Sequence, residues 1–176
     1  MTPVKYRHTE AQLVAKEMVK KYVHTISVDT IVCMDGCEVI GAYLAEELTA
    51  AGIRSMNSHE CVNVITPEIN SSGQIIFRDN IEKMVVNKNV VIVLASATTG
   101  KTIQQSIEAV SYYGGHVVGV SALFSAVKSV EDVDVDTIYT KDDVMEYQTY
   151  KPADCPHCKA GEKLDAIVNS YGYSKI

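Results

Sequence analysis

Apolar residues fall along this chain in two alternating patterns: short unbroken runs, and longer stretches at helical spacing. Thr9-Glu10-Ala11-Gln12 has the form of a capping box, and it predicts a helix from 9 to about 22 with Leu13, Val14, Met18 and Tyr22 on its apolar side. The run 30–34 is short, apolar and rich in β-branched residues, which predicts a buried strand. Asp35-Gly36 predicts a tight turn, followed by a helix from about 38 to 51 that Gly52 stops. Another strand is predicted over 61–65. Residues 66–73 hold a proline, an asparagine, two serines and a glycine, and read as loop. A strand over 90–94 and a helix over 102–113 come next, with Ile103, Ile107 and Val110 at helical spacing and Gly114-Gly115 as the stop. A third buried strand covers 117–123 and a short one 137–139. The tail from 160 predicts a last helix, with Leu164, Ile167 and Val168 on one face.

Apolar strands that alternate with helices imply an α/β fold, a parallel sheet covered by helices on both faces. No repeat, low-complexity segment or linker interrupts the pattern, so one domain spanning 1–176 is expected. Ligands of such sheets sit at the carboxyl ends of the strands. The turns at Asp35-Gly36 and over 95–101 both fall there. A chain 47% hydrophobic and 22% charged is ordinary for a soluble protein. The net charge of −6 argues against non-specific binding to nucleic acid or an anionic membrane. No apolar run reaches transmembrane length, and 1–20 does not have the form of a secretory signal. Five cysteines, an odd number, fit a reducing cytoplasm better than a disulfide framework, so a cytoplasmic location is expected.

The chemistry concentrates in Val90-Val91-Ile92-Val93-Leu94-Ala95-Ser96-Ala97-Thr98-Thr99-Gly100-Lys101-Thr102. A strand that enters a small, hydroxyl-rich loop and then a helix aims backbone N–H groups, threonine hydroxyls and a helix N-terminus at one spot, which suits a phosphate. Ala95 to Thr102 fits a relaxed P-loop, A-x-x-x-x-G-K-T. Against that reading, Ala95 crowds a loop that must wrap phosphates closely. The next strand also ends in Phe124-Ser125-Ala126, without the acid that would hold magnesium, although Asp35 follows an earlier strand.

The same stretch resembles the PRPP-binding motif of type I phosphoribosyltransferases: an apolar run, two acids, two further residues, then T-T-G-x-T. Thr98, Thr99, Gly100 and Thr102 match it. Gly114-Gly115-His116-Val117-Val118-Gly119-Val120 is similar to the strand that follows the motif. The segment from Tyr150 to Gly161, with Cys155-Pro156-His157-Cys158, is similar to the C-terminal part of the orotate branch. The resemblance covers about residues 5 to 165. It implies a type I phosphoribosyltransferase-like parallel sheet with helices on both faces, and a phosphorylated ribose ligand, PRPP or a nucleotide. Ala97, Thr98, Thr99, Gly100, Lys101 and Thr102 would hold its phosphate. Asp35, Gly36 and Cys37 stand where the family contacts pyrophosphate. Magnesium is implied if the protein is catalytically active. A homodimer is implied too, with the tyrosines at 112–113 and 147–150 as interface candidates.

Three departures bear on activity. Leu94 and Ala95 stand where two acids would accept from the ribose hydroxyls. A hydrogen bond to a charged group is worth about 1.5–3 kcal/mol, so the loss of two weakens pentose binding. No basic residue occurs over 61–70. The nearest, Arg78, is expected to pair with Asp79 or Glu82. In the family the strand after the motif often ends in Asp-Arg, the Arg helping to hold orotate, and Ser125 and Ala126 stand at those positions here. These departures disfavour transfer of phosphoribose to a nitrogenous base by the usual scheme. A non-catalytic PRPP- or nucleotide-sensing module is the alternative, and a P-loop nucleotide-binding protein the weaker one.

Elsewhere, Cys155-Pro156-His157-Cys158 is expected to form a structural turn, with a redox centre or half of a zinc site as competing readings. Cys33 reads as core, whereas Cys37 at a helix start is a candidate for a lowered thiol pKa. His8, His24, His59 and His116 are isolated and expected on the surface or as caps. The acidic run 131–136 alternates with apolar residues and reads as a solvated face before a strand, a metal site there being the competing reading. No metal ligand is assigned.

Overall fold

The computed structural model describes residues 2–50, 56–57, 61–151, 153–169 and 172–176. The expected helix stop at Gly52, the surface position of His59 and Pro152 of the C-terminal segment lie outside them.

Two helices open the chain, α1 (Thr2–Tyr6) and α2 (His8–Tyr22). The capping box is not formed. Helix α1 ends directly before α2, so Arg7 takes the N-cap position without a side-chain cap, and its carbonyl accepts from the N–H groups of Glu10 and Ala11. Ala11, Ala15, Met18, Val19 and Tyr22 make the buried side of α2. Leu13 lies off that stripe and is 65% exposed. Strand β1 (Thr30–Cys33), the Asp35-Gly36 turn, α3 (Glu38–Ala50) and β2 (Asn63–Ile65) follow. Where a plain loop was expected, β3 (Glu68–Ile69) and β4 (Ile75–Ile76) form a small antiparallel hairpin. The Asn70 side chain stabilises its turn by accepting from the N–H groups of Ser72 and Gln74 at 3.0 and 2.9 Å. A short α4 (Asp79–Glu82) leads into β5 (Asn89–Ala97), α5 (Lys101–Tyr112), β6 (His116–Ser125), β7 (Ser129–Val130) and β8 (Val133–Thr140).

The strands form one six-stranded sheet in the order β2-β1-β5-β6-β8-β7, parallel except for β7 at the edge. Side chains alternate across it, as the pleat requires. Ile31, Cys33, Val91, Val93 and Ala95 pack with α2 and α3. Val32, Met34, Val90, Ile92 and Leu94 pack with α5 and with Phe77 and Val85. The expected architecture, a parallel sheet with both faces covered, is therefore the observed one. Strand β8 begins earlier than expected, and the acidic run supplies Asp134 and Asp136 to it instead of ending as a solvated face before it.

After a 3-10 turn (Lys141–Asp143) and a short α6 (Pro156–Lys159), the chain ends in an antiparallel hairpin of β9 (Ala166–Asn169) and β10 (Gly172–Lys175). The expected tail helix is thus wrong. Ile167 and Val168 favour extended backbone, and Gly172, at φ +140, takes a conformation no helix uses. Leu164, Ile167 and Val168 are exposed and dock no helical face.

Candidate functional site

The strand order sets the site. From β1 the sheet grows through β2 on one side and through β5 on the other, so a topological switch point lies between β1 and β5, where α/β sheets open a crevice. A cavity of about 620 Å³ is lined there by Lys5, Asp35, Ala95, Ser96, Thr98 and Thr102. Val168, Asn169, Gly172 and Tyr173 of the terminal hairpin line it as well. A hollow of about 50 Å³, lined by Ser96 to Ile103, shares Ser96, Thr98 and Thr102 with it. That hollow has room for one small group, and the larger cavity is of ordinary small-molecule size.

The hollow is the loop singled out in the sequence. Strand β5 ends at Ala97 and α5 begins at Lys101. Gly100 caps the helix at φ +77, and a Cβ there would lie 2.8 Å from Val130 Cγ2, so both the backbone and the space demand glycine. Helix α5 starts without a side-chain cap, which aims its first N–H groups at the hollow. Thr98, Thr99, Lys101 and Thr102 are exposed around it, while Ala97 and Gly100 are buried. The Ala126 N–H donates to the Ala97 carbonyl at 2.8 Å and fixes the base of the loop. This geometry does not suit a P-loop. Ala95 is still inside the strand, between the pairs Leu94–Ala122 and Ser96–Phe124. Thr98, Thr99 and Gly100 alone form the loop, too few to wrap a chain of phosphates.

Leu94 and Ala95 part company. Consecutive residues on a strand face opposite sides of the sheet. Ala95 lines the cavity, whereas Leu94 is fully buried in the core against α5. A pentose in the cavity would lie across Ala95 and not across both, as the sequence alone suggested.

On the other wall, Asp35 and Gly36 form a left-handed turn, at φ +57 and +75. Lys5, only 2% exposed, reaches this turn from α1, donates to the Asp35 carbonyl, and sits 5.5 Å from the centre of the Tyr6 ring. Burial pushes the Asp35 carboxyl above its ordinary value, while the Lys5 charge and the Ala95 N–H facing it act the other way. Cys37 corrects the sequence reading. Its thiol is fully buried, and desolvation pushes it up to about 12 in spite of nearby Lys5, the reverse of an activated cysteine. Lys5 is the site residue that sequence reasoning missed. A lysine at position 5 looks like any solvated N-terminal charge, and folding alone carries it to the switch point.

Other candidates lie away from the cavity. Arg78 donates through Nε and Nη2 to Glu68 at 2.7 and 2.8 Å, across the base of the β3–β4 hairpin and not to Asp79 or Glu82. Ser125 donates to the Val127 carbonyl. Cys155 caps α6 by accepting from the Cys158 N–H at 3.2 Å, and His157 Nδ1 lies 2.6 Å from Glu162. Among the described residues, no three His, Cys, Asp or Glu side chains group as metal ligands, and no helix is long and apolar enough to cross a membrane.

No protein-family model matches the sequence, and no curated protein matches it either. Solved structures do match the fold. Orotate phosphoribosyltransferase of Mycobacterium tuberculosis H37Rv, in complex with 5-phospho-alpha-D-ribosyl 1-diphosphate (PRPP), aligns over 80% of this chain and 78% of its own, at 15% identity and a TM-score of 0.57. Adenine phosphoribosyltransferase of Thermoanaerobacter pseudethanolicus aligns over 78% and 84%, at 20% identity and a TM-score of 0.55. A phosphoribosyltransferase of Corynebacterium diphtheriae aligns over 82% and 85%, at 18% identity and a TM-score of 0.52. With its strand order, its switch-point cavity and these structural matches, this chain has the type I phosphoribosyltransferase fold.

Proposed function

We propose that this protein binds a phosphorylated ribose compound, PRPP or a nucleotide, with the 5′-phosphate in the Ala97 to Thr102 loop and the remainder in the switch-point cavity. One observation carries the reading: a hollow of about 50 Å³ at the start of α5 shares Ser96, Thr98 and Thr102 with a cavity of small-molecule size. Exposed Lys101 adds positive charge there, and Thr98, Thr99 and Thr102 add hydroxyls. The matched structures include an orotate phosphoribosyltransferase with inorganic phosphate and one with PRPP, which is the same ligand class.

Binding is the activity proposed first, because β5 offers no acid to a sugar. Phosphoribosyl transfer is the second reading, favoured by Lys5, a buried cation on the side of the cavity where pyrophosphate would leave. In that case magnesium would arrive with the diphosphate. Asp35 is the one carboxylate lining the cavity among the described residues, and magnesium sites commonly use one or two carboxylates plus substrate phosphates, so the donor set fits the ion.

Calorimetry with inorganic phosphate and with PRPP, on the wild type and on Gly100→Ala, tests the binding. The wild type is expected to bind both. The variant, forced out of φ +77 and against Val130, is expected to lose at least about tenfold in affinity, some 1.4 kcal/mol. Equal binding by the two proteins would place the anion elsewhere. Product formation from Mg-PRPP over a panel of nitrogenous bases separates the enzyme from the binding module.

A further inference from the structure

Cys155 and Cys158 sit where packing does not explain them. A buried cysteine serves as a small apolar residue, as Cys33 does in the core. Cys155 is half-buried and Cys158 is exposed, and among the described residues none of 153–165 joins either core cluster. Capping does not explain them either. Serine, threonine, aspartate or asparagine caps a helix better than the weakly accepting sulfur of Cys155, and the cap uses only the main-chain N–H of Cys158.

The short turn brings the two thiols together. It is helical, with the Lys159 N–H donating to the Cys155 carbonyl at 3.2 Å. One helical turn puts residues three apart at about 5 Å between Cα atoms. That lies within the roughly 4.4–6.8 Å that a disulfide spans, so a bond between them asks little of the backbone. The Cys155 sulfur already accepts from the Cys158 side chain and, at 3.2 Å, from the Cys158 N–H. The His157 N–H faces the same sulfur. The His157 imidazole is engaged elsewhere, its Nδ1 lying 2.6 Å from Glu162, and among the described residues no third ligand completes a metal site.

The two thiols are also unequal. The hydrogen bonds from Cys158 hold the Cys155 thiol below its ordinary value, and the same pairing pushes Cys158 up. Cys155 is therefore the readier nucleophile, and Cys158 keeps its proton until Cys155 has reacted.

We propose that Cys155 and Cys158 form a dithiol that exchanges with low-molecular-mass disulfides, a redox site outside the switch-point cavity. The Cys155 thiolate attacks one sulfur of R–S–S–R. A Cys155–S–R bond forms, the original S–S bond breaks, and one thiolate leaves. Cys158 then gives up its proton and attacks the Cys155 sulfur, which closes the Cys155–Cys158 bond and expels the second thiolate. The protein dithiol is oxidised by two electrons, the small disulfide is reduced to two thiols, and the two protein protons end on them. The site stands whether or not the loop over 97–102 holds phosphate.

The test equilibrates the reduced full chain in glutathione buffers, quenches with acid and maps each cysteine by mass spectrometry. Exposed Cys61 is the internal reference for a single thiol. With reduced glutathione in about tenfold excess over oxidised, the Cys155–Cys158 disulfide is expected in at least about fivefold more molecules than carry glutathione on Cys61, because its closure is intramolecular. Dithiothreitol is expected to reverse it. Cys158→Ser is expected to stop at glutathione on Cys155, and Cys155→Ser to leave Cys158 reacting no faster than Cys61. Glutathione added singly to Cys155 and Cys158 of the wild type, at the level of Cys61, overturns the proposal. So does a disulfide from either cysteine to Cys61 or to a second copy of the chain. A zinc ion that accompanies the purified wild type and is lost in Cys158→Ser overturns it in favour of a metal site.

Discussion

Cys33 and Cys37 lie at 0% exposure on either side of the Asp35-Gly36 turn, while Cys61 and Cys158 are exposed and Cys155 is half-buried. Burial pushes the Cys33 and Cys37 thiols up, so neither supplies a nucleophile at neutral pH. The Cys155 thiol is held below its ordinary value, first by a hydrogen bond from the Cys158 side chain and then by the Cys158 N–H, while Cys158 is pushed up by the same pair. A lowered pKa means that thiolate forms at lower pH. In iodoacetamide labelling near pH 7, read by mass spectrometry, Cys155 is expected to react before Cys158. Cys33 and Cys37 are expected to stay unmodified until the protein is unfolded. Fast labelling of Cys37 in the native state would contradict the burial described here. The position of Cys37 before α3 was legible in the sequence; its protonation was not, because desolvation depends on what packs around it.

At the level of elements, α3 lies close enough to the sheet that Gly41 has no room for a side chain. A Cβ there would meet Cys33 Sγ at 2.3 Å and Val64 Cγ1 at 3.1 Å. Gly41→Ala is expected to cost about 1–3 kcal/mol by overpacking, in spite of the better helix propensity of alanine. Cys33→Ala removes the obstructing sulfur. The double variant is therefore expected to be more stable than the sum of the two single changes predicts, as urea denaturation of all three variants would show. Strict additivity would mean that α3 moves away from β1 freely. Helix α5, with Ile103, Ile107 and Val110 buried, was legible from its apolar spacing. The N-terminal capping box was not, because α1 delivers the chain to α2 from a direction that no local motif records. The tail misled for a related reason. Three apolar residues at helical spacing do not make a helix where no core receives them.

For the whole molecule, the terminal hairpin is the element most separable from the core. Among the described residues, none after Ile138 belongs to either core cluster, yet Val168, Asn169, Gly172 and Tyr173 of the hairpin line the cavity. A chain ending at Asp165 is therefore expected to melt close to the full-length protein and to bind inorganic phosphate equally well. It is expected to bind ribose 5-phosphate roughly tenfold more weakly, the worth of about 60 Å² of apolar contact. Calorimetry and thermal melting check this together. An unchanged sugar-phosphate affinity would remove the hairpin from the site.

The sequence by itself determined the α/β class, the β5–loop–α5 unit and Gly100, because periodicity and a positive-φ glycine are local properties written in consecutive residues. It also located the departure at Leu94 and Ala95. Tertiary structure decided which of those two faces the cavity, since the answer depends on where β5 stops relative to its neighbours. It also brought Lys5, Asp35 and the terminal hairpin to one crevice. Position 5 and positions 168, 169, 172 and 173 are far apart in the sequence, and only the strand order β2-β1-β5-β6-β8 creates the switch point at which they meet.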